Sequence, residues 1–495
     1  MSMFHLLHFF SPPKYNSILI MDEDGLNYQS PFSWRYGSPE MRAIWSERQK
    51  HLLWRKLWLA LAETQGEFGL VSHAQIQDLR SNLERIDLKR IAQLENELQH
   101  DLMAAIKAFA EQCPLGGSIL HFGATSMDIK DNADALRVYD SLWMIRQRLE
   151  ELLEAFCIQI ERYAELPIMA FTHLQPAEPT TLGYRFAQYA QDLWLNWRGL
   201  LEVLRQFRLK GFRGAVGTSA SFMELVGEDK LQRFQDRLAE RFGLPFFEVA
   251  TQVYPRQQDF RIASLLAAIG ASLHRFALDL RFLQSAVSGE WAEPFGEKQV
   301  GSSAMPFKRN PIQAEKINAL ARQLAQCPRL AWDHAAHSML ENTLDDSASR
   351  RTLLPEMFLI SDELLRTGLR LARNLVVQEE NIRRNFRRFA PFAATERVLV
   401  AATQAGADRQ EIHEVLRRLS LQAWDAMRKT GDNPLIDLIC HETRLLNYLA
   451  EEQLQELLSV ERYVGDASQR SKRLIEMIRS EVNQARVDIV RKSHL

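Results

Sequence analysis

Cysteine is scarce in this chain, and its few cysteines are scattered singly. They are Cys113, Cys157, Cys327 and Cys440, in a chain of 495 residues. None forms a CxxC motif or has a disulfide-like spacing, so a disulfide-stapled secreted scaffold is excluded. Isolated thiols are typical of a reducing compartment. We therefore expect a cytoplasmic protein.

Long apolar runs and an excess of one charge are also missing. No stretch of 18 apolar residues occurs, which argues against a membrane span. The chain has 61 Lys and Arg against 63 Asp and Glu, a net charge of -2. This balance gives no electrostatic reason to expect binding to nucleic acid or to a membrane. A local basic pocket for an anionic substrate remains compatible with it.

The N-terminus lacks the pattern of a secretory signal. Its short apolar piece, residues 4–10, has no basic residue before it and is followed by Pro12 and Pro13. We therefore expect residues 1–29 to form a disordered leader, with Met21 as a possible functional start.

The chain is long enough for two or three domains, and the residues that begin and end its predicted helices indicate an all-α fold. Ser38-Pro39-Glu40 has the pattern of a helix start, and the helix that follows should run to Gly69. Ser72 and Gln75 have the spacing of a capping box. We assign residues 30–125 to an N-terminal helical domain.

Three longer apolar stripes, stepping by three and four residues, follow this domain. They run from Leu142 to Tyr163, from Leu182 to Phe207 and from Ile262 to Leu283. Each predicts a helix of about 25 to 30 residues, roughly 40 Å long. Repeated helices of this length indicate a bundle, assigned to residues 126–370. Apolar flanking positions make the stripes too broad for one chain, so we expect bundles of several subunits to pack together. A two-stranded coiled coil is disfavoured because Pro- and Gly-rich turns separate the helices. Shorter, more charged helices should form a C-terminal domain over residues 371–495.

The loop over residues 301–311 is the strongest candidate for chemistry. It begins with glycine, is rich in serine, ends in Lys308, Asn310 and Pro311, and should open a helix at the proline. Hydroxyls, backbone N–H groups and a cation in one loop suit an anion or a transition state that develops negative charge. If only this pattern is considered, an ordinary connecting loop is the more common interpretation.

The exact string GSSAMPFKRNP resembles the signature GSSxMPxKxNP of the fumarase/aspartase superfamily. Further strings match in the same order over roughly residues 30–480: SPEM at 38–41, HD at 100–101, GATS at 123–126, THLQP at 172–176, GT at 217–218, LDDS at 344–347, RR at 350–351, ATE at 394–396 and HE at 413–414. The KRNP, LDDS–RR and ATE segments are most similar to the adenylosuccinate lyase family, in its animal-like branch.

This resemblance implies a three-domain fold whose long helices form the core of a homotetramer, with active sites shared between subunits. It implies anti β-elimination of fumarate from adenylosuccinate, giving AMP, and from succinyl-aminoimidazole-carboxamide ribotide. No metal and no organic cofactor take part. The substrate is a small nucleotide, and the pathway is purine biosynthesis.

Site residues are carried over from the resemblance one by one. Ser302 matches the catalytic base and His173 the general acid, with Lys308 and the loop backbone stabilising the serine alkoxide. His100 matches a second histidine near the phosphate. Residues matched to substrate binding are Asp101, Thr125, Ser126, Gln252 and Asn310, together with Arg35, Tyr36, Ser347 and Arg351 around the phosphate and ribose. For these outer residues an ordinary surface or capping role is the alternative.

Three positions depart from the family pattern. Asn342 stands where these lyases generally carry an arginine that helps to bind phosphate, Lys316 replaces an arginine, and Ser219 occupies a site that is often glutamine. Two alternatives follow: a lyase of the same superfamily that acts on another N-succinyl compound, and a catalytically silent helical scaffold. Retention of Ser302, His173, Lys308 and Asn310 argues against the scaffold.

Overall fold

The computed structural model describes residues 27–488, and these are mostly helical with few strands, which confirms the predicted all-α class. The predicted disordered leader, residues 1–29, falls outside the described residues except for its last three positions. The elements before the long helices are α1 (Pro31–Trp34), α2 (Pro39–Ile44), α3 (Glu47–Glu67), α4 (His73–Ser81), α5 (Leu88–Leu98), α6 (Asp101–Ala110) and a 3₁₀ turn (Gly117–Ile119).

Local capping defines these first helices. The Ser38 hydroxyl accepts from the Met41 N–H at the start of α2, and Ser72 and Gln75 form the predicted capping box of α4. The expected single helix from Ser38 to Gly69 is wrong, because Ser46 stops it and caps a new helix. The Ser46 hydroxyl accepts from the Gln49 N–H at 3.2 Å, and this bond begins α3. Short polar side chains compete with the helix in this way wherever they can satisfy its free N–H groups.

The three apolar stripes form three long helices, as predicted. The central elements are α7 (Ser126–Arg162), α8 (Leu182–Gln206), α9 (Ala220–Val226), α10 (Glu228–Phe242), α11 (Gln257–Leu283), α12 (Ile312–Leu324), α13 (Cys327–Ala336) and α14 (Ser347–Asn374). The side chains of each stripe are buried in one continuous core. The helix expected to open at Pro311 begins at Ile312.

Helices α7, α11 and α14 run in the same direction. Near their starts, Arg256 beside α11 contacts both Asp131 of α7 and Asp346 beside α14. Near their ends, the Gln159 side chain of α7 donates to the Ala372 carbonyl of α14 at 2.8 Å. The bundle therefore has two distinct ends. We call them the helix-start end, where α7, α11 and α14 begin, and the hairpin end, where they finish.

Two small antiparallel β-ladders lie at the hairpin end. Strands β1 (Pro167–Thr172) and β2 (Gln175–Thr181) form a hairpin between α7 and α8, and β3 (Trp291–Ala292) pairs with β4 (Val376–Val377). Arg185 ties the two ladders together, since its guanidinium donates to the Met169 carbonyl and to the Glu290 carboxylate.

Most of the C-terminal helices are shorter than the long bundle helices, as expected. Those after residue 377 are α15 (Glu379–Gln404), α16 (Arg409–Thr430), α17 (Leu435–Cys440), α18 (Thr443–Leu446), α19 (Glu451–Leu458) and α20 (Ala467–Asp488). Five of these six helices are shorter than α7, α8, α11 and α14, as predicted, with α16 and α20 at 22 residues each. Helix α15, at 26 residues, is one residue longer than α8. Helices α15 to α19 share a second core, whereas α20 returns to pack on α7 and α8. The predicted domain boundaries stay predictions.

Among residues 27–488 one helix, α11, is long and apolar enough by length and composition to cross a membrane. It packs against α8, α12, α13 and α14 in the bundle. Core helices of soluble proteins pass the same test of length and composition.

Candidate active site

Most of the predicted substrate-binding residues meet at the helix-start end. Thr125 and Ser126 begin α7, Ser347 begins α14 and Gln252 precedes α11. All four are partly buried. Helix starts carry free N–H groups and the positive end of the helix dipole, so this assembly suits an anionic ligand.

Asp128 fixes the start of α7. One of its carboxylate oxygens accepts from the Thr125 N–H at 2.9 Å, and the other accepts from the Arg213 N–H at 3.1 Å. The ammonium group of Lys210 pairs with the same carboxylate, and both side chains are fully buried. The N-terminus of α7 is thus tied to the glycine-rich segment 211–217, which positions Thr125 and Ser126.

A second buried charge network joins α11 and α14 to α7. Arg256 donates to Asp131 and Asp346, and Arg350 donates to Asp259 and to the Tyr254 hydroxyl. Buried ions need such partners, because an unpaired one carries a large desolvation penalty. The network holds Gln252 and Ser347 close to the start of α7, although neither residue is part of it. The local sequence pattern did not predict this network of buried charges.

Asp101 links the two basic groups nearest to the predicted phosphate end. Its carboxylate accepts from Lys130 at 2.8 Å and from Arg351 at 3.3 Å. Burial raises the pKa of the Asp101 carboxyl, but the hydrogen bond and charge of Lys130, aided by Arg351, outweigh burial and hold the pKa below its usual value. Asp101, Ser347 and Arg351 line a cavity of about 180 Å³.

Two histidines lie near this cluster, and only one was predicted. His100 caps α6, with its Nδ1 accepting from the Met103 N–H at 3.3 Å, so its Nε2 is the nitrogen left for a ligand. His121 was missed. Its ring Nδ1 accepts from the Trp58 indole at 3.2 Å, and its backbone has a φ of 64°, a region rare for residues other than glycine. Burial lowers the pKa of His121, with a further lowering from His100 that Asp128 opposes. The sequence feature that could have predicted His121 as a site residue is its position two residues before Gly123, the first residue of the GATS string.

The predicted base, Ser302, lies at the hairpin end. Its hydroxyl oxygen accepts from the Met305 N–H at 3.1 Å and from the Ala304 N–H at 3.4 Å. These are donors of the kind that would stabilise a serine alkoxide. The Asn310 amide donates to the Gly301 carbonyl at 3.4 Å. A Cβ at Gly301 would lie 2.1 Å from the Lys308 carbonyl oxygen, so only glycine allows the loop to close here.

Two side chains hold the ends of this loop together. The Glu293 carboxylate accepts from the Ala314 N–H at 2.6 Å and from the Gln313 N–H at 3.2 Å, at the start of α12. Burial raises the pKa of Glu293, against the effect of these two N–H donors. Gln284 accepts from the Glu293 N–H and donates to the Arg309 carbonyl. The segment between these anchors is largely exposed.

The predicted acid, His173, occupies the tip of the β1–β2 hairpin. His173 and Leu174 have φ angles of 52° and 59°, so both central residues of this two-residue turn are left-handed. Turns of this geometry normally carry Asn and Gly, since bulky residues are strained there. The imidazole is exposed at this strained turn, at the end of a short ladder.

Within one chain these groups lie far apart. Helix α7 has 37 residues and so is about 55 Å long, and it separates Ser126 at one end from the His173 hairpin beyond the other. Helix α11 has 27 residues, about 40 Å, and it separates Gln252 from the Ser302 loop in the same way. The structure therefore brings Thr125, Ser126, Gln252, Ser347 and Arg351 together but leaves Ser302 and His173 at the opposite end.

Arg35 and Tyr36 lie between the two ends. The adjoining Ser38 N–H donates to the Asp362 carboxylate of α14 at 2.6 Å. Asp362 is 11 residues beyond Arg351, about 16 Å along the helix. One chain does not bring Arg35 and Tyr36 to Ser347 and Arg351.

The three departures from the family pattern have defined surroundings. The Asn342 amide donates to the Gln252 Oε1 at 2.5 Å. Lys316 pairs with Glu363, whose carboxylate also accepts from the Gly37 N–H at 3.3 Å. Ser219 is buried in a left-handed conformation at the start of α9. Among residues 27–488 no group of three His, Cys, Asp or Glu has the arrangement of a metal site.

The long-helix bundle and the loop over residues 301–311 define a lyase of the fumarase/aspartase superfamily. A lyase family model matches residues 37–325, and a model of the adenylosuccinate lyase C-terminus matches residues 391–474. The adenylosuccinate lyase of Saccharomyces cerevisiae is 36% identical over 93% of this chain and 95% of its own length. That of Schistosoma mansoni is 38% identical over 84% of this chain and 88% of its own. The chain belongs to the adenylosuccinate lyase family.

Solved structures of more distant proteins share the fold. A 3-carboxy-cis,cis-muconate lactonizing enzyme from Pseudomonas putida superposes with a TM-score of 0.81 at 24% identity, over 92% of this chain and 99% of that one. A fumarate lyase from Mesorhizobium sp. BNC1 gives 0.78 at 22% identity, over 91% and 99%. At these identities the likeness concerns the fold alone.

Proposed function

We propose that this chain converts adenylosuccinate to AMP and fumarate, and succinyl-aminoimidazole-carboxamide ribotide to its carboxamide product and fumarate. A base removes a proton from the succinyl carbon next to a carboxylate. The electron pair left behind forms the fumarate double bond, and the C–N bond breaks. An acid protonates the departing nitrogen. The observation that carries the proposal is the Ser302 turn inside the family's signature loop.

Ser302 is the proposed base. A serine hydroxyl is a weak base unless its alkoxide is stabilised. The Ala304 and Met305 N–H groups already point at its oxygen, and Lys308 follows in the same exposed loop. When the substrate carbanion forms, these same donors can share the charge that spreads into its carboxylate.

His173 is the proposed acid. An imidazole is a common general acid, which can give a proton to the leaving nitrogen and recover it from water. Its place at an exposed hairpin tip suits a group that must reach into a site built by another chain.

We also propose a homotetramer with shared sites, and the distances within one chain support the sharing. Residues about 40 Å apart in one chain cannot act on one small substrate, so the Ser302 loop and the His173 hairpin must meet the helix-start end of other copies. The broad apolar faces of α8 and α11, including exposed Leu195, Leu278 and Phe282, are consistent with such packing. The nucleotide phosphate would bind near Ser347 and Arg351. We place the enzyme in the cytoplasm, since the four cysteines are unpaired.

The test is an ultraviolet absorbance assay of the purified protein with adenylosuccinate, in which a coupled step confirms fumarate. Turnover that releases one fumarate per AMP supports the proposal. A folded tetramer without turnover would instead favour the alternative, a lyase for another N-succinyl amine, which the missing arginine at Asn342 already suggests.

A further inference from the structure

Asn342 lies on a wall between two cavities of the helix-start end. Residues Asn342, Thr343 and Leu344 line the cavity that holds Asp101, Ser347 and Arg351. The same three residues line a second, more open cleft of about 580 Å³ on the other side, which holds Gln252. The wall therefore lies between the predicted phosphate-binding residues, Ser347 and Arg351, and the Gln252 amide that is predicted to bind a carboxylate.

The wall is attached to Gln252 by two hydrogen bonds. The Gln252 N–H donates to the Glu341 carbonyl at 3.2 Å, and the Asn342 amide N–H donates to the Gln252 Oε1 at 2.5 Å. The first bond sets where the Gln252 backbone lies. The second sets which way its side chain faces.

An amide has one acceptor oxygen and one donor NH₂ group, so a partner that occupies the oxygen decides what the amide offers elsewhere. With its Oε1 bound by Asn342, Gln252 keeps its two N–H donors for the cleft. A donor suits a carboxylate ligand, whereas an acceptor in the same place would repel it.

We propose that Asn342 is a positioning residue that fixes the Gln252 amide with its N–H groups toward the cleft, and that it thereby sets the affinity for the carboxylates of the succinyl group. Asn342 acts on the carboxylate end of the substrate through Gln252, and it contributes little at the phosphate end, where Arg351 and Lys130 supply the charge. This inference rests on the proposed function for the identity of the ligand.

The decisive variant is Asn342→Asp, which keeps the size of the side chain but replaces its donor by an acceptor. The introduced carboxylate would bind the Gln252 NH₂ and turn the Gln252 carbonyl oxygen toward the cleft. Asn342→Ala removes the bond without inverting the amide and should have a smaller effect. Leu344→Asp is the matched control, since it places the same charge on the same wall without contacting Gln252.

Calorimetric titration of each tetramer with AMP and, separately, with fumarate measures the two ends of the substrate without turnover. In Asn342→Asp the affinity for fumarate should fall about tenfold or more, the weight of a hydrogen bond to a charged group, while the affinity for AMP stays within about twofold. Leu344→Asp should leave the affinity for both ligands within about twofold, because Leu344 is exposed and solvent screens the added charge. In a Gln252→Ala background the Asn342→Asp change should have no further effect on fumarate.

Equal weakening of AMP and fumarate by Asn342→Asp, or an undiminished effect in the Gln252→Ala background, would overturn the proposal. Wild-type turnover of adenylosuccinate, measured in parallel, tests the proposed function separately. A wild-type enzyme that binds fumarate but leaves adenylosuccinate intact would refute the substrate while the titrations still decide the role of Asn342.

Discussion

Ser302, the proposed base, lies in a turn whose backbone N–H groups favour an alkoxide. Its oxygen accepts two backbone N–H groups of the following residues, and Gly301 lets the Lys308 carbonyl pass where a Cβ would collide. The sequence motif predicted that N–H groups would surround this oxygen, and the structure identifies which ones. The sequence alone could not predict the hydrogen bond between Asn342 and Gln252, because these residues are 90 positions apart and no periodicity relates them.

Replacing Ser302 by alanine should remove the base while leaving the fold intact, because the side chain lies in an exposed loop. We expect kcat to fall by a factor on the order of 10² to 10⁴ or more, the usual weight of a general base. Steady-state kinetics measures the loss, and calorimetry with AMP should show unchanged binding. Ser303→Ala, whose hydroxyl accepts neither loop N–H, should lower kcat far less. Full activity in Ser302→Ala would refute the assignment.

Among the elements, the long helices were predictable and the hairpin was not. The stripes that predicted α7, α8 and α11 repeat over six or more turns, so the pattern outweighs local exceptions. The β1–β2 hairpin has strands of only six and seven residues, and its THLQP string predicted a site residue but no strand. Its position depends on packing against α15, which begins more than 200 residues later in the chain. The break between α2 and α3 was missed because one serine decides it.

The turn at the hairpin tip should be strained at Leu174. A left-handed residue with a Cβ is disfavoured, whereas glycine is not, so Leu174→Gly should be more stable than Leu174→Ala by about 1 kcal/mol. Both variants lose the exposed side chain, and their difference therefore isolates the backbone. Urea unfolding at one subunit concentration measures it. An alanine variant as stable as the glycine variant would show that the turn carries no strain.

His51 in α3 should make the N-terminal helices sensitive to acid. Burial, with smaller contributions from nearby charges, lowers the pKa of His51 to about 4. Between pH 6.5 and 4 the unfolded chain therefore binds the extra proton, so stability is complete above pH 6.5 and falls as pH drops toward 4. From pH 7.5 to pH 5 this single group should account for a loss of about 2 kcal/mol.

His51→Gln should remove that part of the pH dependence. Urea unfolding of the wild type and the variant at pH 7.5 and at pH 5 gives the comparison, with subunit concentration held constant. The difference between the two proteins isolates His51 from the other histidines whose pKa is lowered, His121, His274 and His334. Parallel losses in both proteins would exclude His51 as the source.

At the scale of the whole molecule, a single chain does not bring all the predicted site residues together. Its bundle carries the predicted substrate-binding groups at the helix-start end and the Ser302 loop and His173 hairpin at the other, because α7, α11 and α14 all run in one direction. The sequence supplied candidate site residues and the expectation that subunits pack together, and both stay predictions. The separation itself became visible only when the directions of the helices were known.

The most direct test of this account is to mix two variants impaired at opposite ends of the bundle, Gln252→Ala and Ser302→Ala, and to let their subunits exchange after mild denaturation. If each site takes Gln252 and Ser302 from different chains, random hybrids contain some sites with both wild-type residues. The account predicts recovery of about a quarter of wild-type turnover in an equal mixture. Hybrid tetramers that form, as shown by native mass spectrometry of tagged subunits, and yet release no fumarate would contradict it.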